Sequence, residues 1–475
     1  MDGAARSKIV CTIGPASRRP DVLRDMATAG MDVARLNLSH GTLDEHRNTI
    51  RAVRSLRSVA VLIDLPGPKI RVGELKVPIV LQNGDLARFT VKESAEPPTI
   101  PVSYQLLPAE VRPGGHVYID DGRIDVEVTK IETDLLGFEG RVTAGGTVES
   151  HKGVNAPGAS LSMRPPTEQD LRGIRFGVEA GVDWFAASFV RGKGDVEAVK
   201  SAIVEAGGSQ PLVSKIEHGD AIKNIGEIIR ASDGVMVARG DLGIEVPPWE
   251  VPLLQKRIIA GCNEAGRPVI VATQMLESMV ASPHPTRAEA SDVANALLDG
   301  ADAVMLSEET ATGSYPVEAV RVMESIGRVV KAGAPRPRRE QPREGAQIAD
   351  VLGSLAASAV DALHPAAVIA VTRSGFTSLM ASKYRPAARV LAVTRDARVG
   401  RMIRMYWGVE PLDVPWTEDR DELVVRAVAR AVRDGFVRES DTVLVVSGSR
   451  LEEAGRTSSL EALRVRDVLS HEVKR

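Results

Sequence analysis

Short runs of β-branched and aliphatic residues recur through the first two thirds of the chain, at 8–13, 33–37, 61–65, 184–189, 212–217, 234–238, 269–275 and 303–307. Each leads into a glycine-punctuated stretch in which apolar residues return every three or four positions. A buried strand followed by an amphipathic crossover helix produces that alternation, so the pattern predicts an α/β protein with parallel strands. Eight such units over roughly 240 residues, with one interruption set aside, match a (β/α)8 barrel of the TIM type. The interruption falls after the third run. From 68 to 164 the helical spacing vanishes, and alternating segments at 88–92, 116–119 and 124–131 stand between turn signals such as Arg112-Pro113-Gly114-Gly115 and Asp120-Asp121-Gly122. An inserted all-β domain is expected there, and a loop after a barrel strand places it as a lid over the catalytic face.

Near residue 334 the pattern breaks again into a proline-rich, charged stretch, read as a linker over 334–346 with a basic partner-binding patch as the alternative. Beyond it, runs at 368–372, 390–394 and 442–447 alternate with helical stretches at 348–363 and 421–433. The expected organisation is therefore a barrel from 1–67 and 165–333, a β lid from 68–164, and an open-sheet α/β domain from 347–475.

Composition narrows the partners. Of 475 residues, 43% are apolar and 26% charged, the balance of a globular protein that needs more than one core at this length. With 60 basic and 63 acidic side chains the formal charge is -3, which gives no reason to expect a nucleic-acid or membrane partner. No stretch reads as a signal peptide or a membrane span, so a cytoplasmic address is expected. Cys11 and Cys262 sit in apolar surroundings and read as small buried hydrophobes.

Catalytic groups of a barrel stand at the C-terminal ends of its strands, and the ends of these runs are rich in polar residues. Alternation puts Lys215 and Glu217 on one side of the fifth strand, with Asp241 close by at the end of the sixth. Two carboxylates near one another, completed by phosphate oxygens and water, suit Mg2+. An internal salt bridge between Lys215 and Glu217, an N-cap role for Asp241 and a strand hydroxyl at Thr273 are the plainer alternatives. Arg35 and Arg71 suggest an anion site, and backbone N–H groups around Gly240 add a second device. By residue chemistry alone this is a metal-assisted barrel enzyme acting on anions.

Whole segments say more. Lys8 to Ser17, Val33 to Gly41, Lys152 to Asn155, Met236 to Glu245, Ala272 to Met279, Pro285 to Glu289 with Asp292 to Asn295, and Met305 to Ser307 with Glu309 to Ala311 closely resemble the signature segments of pyruvate kinases. The resemblance runs in order from about residue 6 to 320 and weakens in the C-terminal third. It implies transfer of a phosphoryl group from phosphoenolpyruvate to ADP, giving pyruvate and ATP, in a homotetramer. It also implies Mg2+, or Mn2+ in its stead, held by Glu217 and Asp241. Lys215, Arg35 and Thr273 would be catalytic, with Arg35, Lys215, Gly240, Asp241 and Thr273 on the substrate. Asn37, His40, Arg71 and Lys152 would meet the nucleotide.

Many members also need K+. This chain has Leu65, Pro66 and Lys69 where those carry Thr, Lys and Glu, and it resembles the potassium-independent branch, with Lys69 replacing the ion beside Asn37, Ser39, Asp64 and Leu65. The C-terminal segment Thr372, Arg373, Ser374, Gly375 and Thr377 resembles the family's phosphate-binding effector loop, for a sugar phosphate or AMP; a plain strand-to-helix turn is the alternative. Glu308 departs from the family's usual glycine or alanine without a reason visible in the sequence. The rival readings are a Mg2+-dependent lyase or aldolase working through a pyruvate enolate, and an inactive member that binds metabolites.

Overall fold

The structure, a computed structural model, describes residues 5–56, 59–92, 98–159, 161–333, 342–343, 345–448 and 457–472. Eight parallel strands close into a barrel: β1 (Lys8–Thr12), β2 (Val33–Asn37), β3 (Ala60–Leu65), β4 (Trp184–Ala187), β5 (Leu212–Ile216), β6 (Gly234–Ala238), β7 (Val269–Ala272) and β8 (Ala303–Leu306), the last returning beside β1. Both faces of such strands are covered, by helices outside and packed side chains inside, which is why they read as continuous apolar runs. Three crossover helices start on reciprocal Thr–acid capping boxes, Thr42 with Glu45, Thr167 with Asp170 and Thr286 with Glu289. The seventh strand stops three residues short of the apolar run, because Thr273 and Gln274 take φ of 73° and 55° and carry the chain off the sheet.

Between β3 and β4 the chain builds a seven-stranded sheet in the order Ile70–Arg71, Gly153–Asn155, His116–Ile119, Ile124–Ile131, Gly137–Ala144, Leu86–Thr90, Thr99–Pro101. Its core centres on Phe89 and Phe138, whose rings stack with centroids 4.6 Å apart. The antiparallel pairing of Ile70–Arg71 with Gly153–Asn155 ties the outgoing and returning arms together beside the barrel mouth.

The C-terminal part forms a five-stranded sheet from β9 (Ala367–Val371), β10 (Arg389–Val393), β11 (Val409–Pro411), β12 (Thr442–Ser447) and β13 (Ser459–Arg464), in the order β11-β10-β9-β12-β13. Only β12 and β13 pair antiparallel. The sheet's side of the chain docks on the N-terminal ends of the barrel strands. Trp184 Nε1 donates to Met402 O (3.0 Å), Lys8 Nζ to Val409 O (2.8 Å), and Arg385 pairs with Asp302 at 2.7 Å. Val10, Leu62, Met236 and Ile270 inside the barrel run into one apolar cluster with Val390, Met405 and Tyr406. The inserted β domain stands instead beside the C-terminal mouth of the barrel.

Among the described residues no helix is long and apolar enough to cross a membrane. Cys11 and Cys262 are free thiols, both buried, and burial pushes their pKa up. The expected linker at 334–346 lies largely outside the described residues.

Candidate active site

The polar residues at the strand ends meet in one buried cluster at the barrel's C-terminal mouth. Lys215, next to last in β5, places Nζ 2.8 Å from Glu217 Oε1, 3.2 Å from Asp64 Oδ1 and 2.8 Å from Ser188 Oγ. Asp64, in β3, also takes the Arg35 guanidinium at 2.7 Å, and Arg35 Nη1 donates to Thr12 Oγ1 at 2.8 Å. Asp64 and Glu217 are each 1% exposed, so four ionised groups sit away from water. Two cations facing two anions leave the cluster neutral, which is how such burial is tolerated.

The environments follow. Burial alone would raise Asp64, but Lys215 and Arg35 outweigh it and hold the carboxyl below its ordinary range. Burial opposes the Lys215 ammonium, and Asp64 with Glu217 overcomes it, so the lysine stays charged well past neutrality. Glu217 is pushed up, first by burial and further by Asp241, against the pull of Lys215. That push places the two carboxylates within each other's field.

Asp241 sits in the first turn of the helix Arg239–Glu245. It is therefore not that helix's N-cap; the cap position is Ala238, whose side chain caps nothing. The Gly240 N–H, expected to face an anion, is already donated to Thr273 Oγ1 at 2.8 Å. Thr273 in turn donates to Ala272 O at 2.6 Å. Lys69 Nζ lies 3.4 Å from Asp241 Oδ1.

Around this cluster stands a cationic rim. Burial first, then Arg71, Arg35 and Lys69, lower the His40 pKa, so all three cations act on one histidine. Arg71 Nη1 donates to His151 O across the lid's two arms. Lys152 pairs with Asp120 at 2.9 Å and Glu149 at 3.5 Å, both lid residues. Asn37 spends its side-chain oxygen on the Ser39 N–H at 3.1 Å, closing the turn after β2. Leu65 is buried, and its carbonyl takes the Ser188 hydroxyl at 2.7 Å.

Among the described residues no three His, Cys, Asp or Glu gather as a ready metal cage. Mg2+ does not ask for one, since it is usually held by one or two carboxylates with water and substrate oxygens. Glu217 and Asp241, each now leaning on an ammonium, fit that requirement.

A family profile described as the pyruvate kinase barrel domain matches residues 4–320, and one described as the pyruvate kinase alpha/beta domain matches 350–463. The chain belongs to the pyruvate kinase family. Curated relatives agree along nearly the whole length. Pyruvate kinase 2 of Synechocystis is 41% identical, covering 98% of this chain and 80% of its own. The pyruvate kinase of Geobacillus stearothermophilus is 42% identical over 98% and 81%, and human pyruvate kinase PKLR 43% identical over 97% and 85%. As a pyruvate kinase family member the chain is classed with the phosphotransferases.

Residue chemistry alone gives several groups at the strand ends no role. Ser188 and the Phe189 N–H contact the Lys215–Glu217 pair, at 2.8 Å each. Glu309 accepts from Leu276 N (3.0 Å) and Ser307 N (2.6 Å), tying the ends of β7 and β8. Arg239 pairs with Asp292 at 2.6 Å and donates to Thr273 O at 2.7 Å. In the C-terminal sheet, Gly375 N donates to Thr372 Oγ1 at 2.9 Å and Thr377 Oγ1 meets Thr457 Oγ1 at 3.0 Å, in the turn from β9 to the helix Phe376–Lys383. Glu308 is exposed, and nothing in the structure explains its choice over glycine or alanine.

Proposed function

We propose that the chain passes the phosphoryl group of phosphoenolpyruvate to ADP at the mouth cluster, with Mg2+ held by Glu217 and Asp241. The observation that carries this reading is Lys215, an ammonium kept charged and fixed within 3.2 Å of Glu217, Asp64 and Ser188 at the barrel's catalytic end. Bound Mg2+ supplies Lewis-acid polarisation of phosphoryl oxygens and offsets their charge. Arg35 binds the phosphoryl group. Lys215 stabilises the group in transfer and the enolate left behind, which is catalysis by preorganised charge. Thr273 stands ready to relay a proton to the enolate carbon once its hydroxyl turns away from Ala272 O. Asn37, His40, Arg71 and Lys152 take the nucleotide, the last when the lid closes and excludes water.

Lys69 replaces the monovalent ion. In this reading its ammonium, 3.4 Å from Asp241 Oδ1, brings the positive charge that K+ would bring. The Thr372–Thr377 loop binds a phosphorylated effector such as a sugar phosphate or AMP. The assembly is a cytoplasmic homotetramer, and exposed Trp249 and Leu253 offer apolar surface to a second copy.

The test is a coupled assay for pyruvate from phosphoenolpyruvate and ADP with Mg2+, in sodium or Tris buffer and again with K+. Full turnover without K+ is expected. No pyruvate under either condition would overturn the main reading, and a large rise on adding K+ would overturn the role of Lys69 alone.

A further inference from the structure

The Lys215 ammonium rests on three oxygens, and under the proposed function two of them have other work. Glu217 turns to the metal ion, and Asp64 is shared with Arg35. The third, Ser188 Oγ, is neutral. It is 3% exposed, and of the two acceptors in reach of its proton, Leu65 O at 2.7 Å and Asp64 Oδ1 at 3.4 Å, the first is much the nearer. A hydroxyl has a single proton, and that of Ser188 goes to Leu65 O at 2.7 Å, which turns a lone pair to Lys215 Nζ at 2.8 Å. The chain of donors runs one way, from the lysine through the serine into the β3 backbone.

The next residue completes the device. Phe189 takes φ of 57°, a conformation that a bulky residue avoids unless its surroundings hold it there. The turn aims its N–H at Glu217 Oε2, 2.8 Å away. One bend after β4 therefore offers an acceptor to the lysine and a donor to the glutamate, and so sets both partners of the pair. Gly67 packs against this bend, where any Cβ would come within 2.8 Å of Ser188 Cβ.

We propose that Ser188 is a positioning residue for phosphoryl transfer, holding the Lys215 ammonium in place when Glu217 is engaged by the metal. The inference rests on the function proposed above. A hydroxyl suits the task because a further carboxylate would cancel the charge that stabilises the moving phosphoryl group. With no acceptor at this position the lysine leans on Glu217 and competes with the metal.

The experiment is a double-mutant cycle of Ser188→Ala and Lys215→Met, with kcat and KM for phosphoenolpyruvate measured in each protein and residual rates read at high enzyme concentration. Ser188→Ala in the unmodified background is expected to lower kcat about 10- to 100-fold while KM moves less than about threefold. In the Lys215→Met background the same change is expected to alter kcat by less than about twofold, because the group it positions is gone. Apparent Mn2+ affinity, followed by electron paramagnetic resonance without substrate, should fall in Ser188→Ala. Equal losses in both backgrounds would mark a merely structural role and overturn the proposal, as would an unchanged kcat. Failure of the unmodified chain to make pyruvate would instead strike the functional reading beneath it.

Discussion

At the scale of single residues, the site shows how burial and neighbours divide labour among like groups. The side chains of Asp64, Glu217 and Glu245 are shielded from water, at 1%, 1% and 7% exposure, yet only Asp64 has two cations and is held down. Glu245 has none. It faces His218 Nε2 at 3.4 Å, but burial lowers that histidine, so it stays neutral near pH 7 and lends no charge. Burial chiefly, with Asp220 and Asp241 adding to it, pushes Glu245 up to about 7 from an ordinary 4.5. The folded state thus binds this proton more tightly than the unfolded chain does. Its contribution is fully present below pH 4.5 and is lost as pH rises through about 7, costing at most about 3 kcal/mol above that. Glu245→Gln should raise the thermal midpoint at pH 8 and leave it unmoved at pH 4.5. An equal rise at both pH values would show that the carboxylate is not strained by ionisation. Charged groups of this kind were legible in the sequence, since a lysine or glutamate ending an apolar run asks for a reason. Ser188 and Phe189 were not, because a serine after a strand is commonplace and nothing in a phenylalanine announces a positive φ.

At the scale of elements, the barrel repeats one small device four times. Asp32, Asp183, Asp233 and Asp302 each directly precede an even-numbered strand. Each donates its own N–H to the carbonyl at the start of the preceding odd strand, namely Ile9, Val61, Leu212 and Val269, at 3.0 Å in every case. Each carboxylate then accepts the N–H of that same residue, at 3.1, 2.8, 3.0 and 3.0 Å. The side chain extends the ladder by one rung and fixes the register of each strand pair at the barrel's floor. What holds the four carboxylates differs. Asp183 is wholly buried between Arg54 at 2.7 Å and Arg401 at 3.0 Å, while Asp233 is 32% exposed beside Lys200 at 2.9 Å. Asp183→Ala leaves two guanidiniums without their anion, a loss of about 3–5 kcal/mol. Asp233→Ala costs about 1–3 kcal/mol, mostly for the orphaned Leu212 N–H, since an exposed pair adds little. Urea unfolding should rank the two in that order, and equal losses would mean that the backbone rung alone matters. The strands themselves were legible because parallel strands buried on both faces must be continuously apolar. β11 and β13 were not, since one is three residues ending on proline and the other, an edge, carries Glu461 and Arg464.

At the scale of the whole molecule, the two additions to the barrel sit at opposite ends. The C-terminal sheet grips the floor, where Arg385, Arg401 and Arg404 reach three of the four aspartates, and the lid stands by the mouth. The lid's approach to the site is already marked. Gly153 packs so closely on the Lys69 stem that an added Cβ would lie 3.0 Å from Lys69 Cε, one residue beyond Lys152. Lys152 itself points back into the lid, where the hydrogen bond to Asp120 chiefly raises its pKa. Under the proposed function Lys152 must leave Asp120 to reach the nucleotide, and this pair then holds back productive closure. A half-exposed pair is worth about 0.2–1 kcal/mol, which amounts to roughly 1.4- to 5-fold in an equilibrium. Asp120→Asn keeps the shape and removes the attraction, leaving only exposed Arg123 without its partner. The KM for ADP should fall by up to about fivefold with the KM for phosphoenolpyruvate unchanged, because in the proposed function the latter is bound by Arg35 and the barrel rather than by the lid. An ADP KM that stays level or rises would show that Lys152 acts from where it now stands. In that case the lid would serve as a fixed wall of the site and not as its closing half.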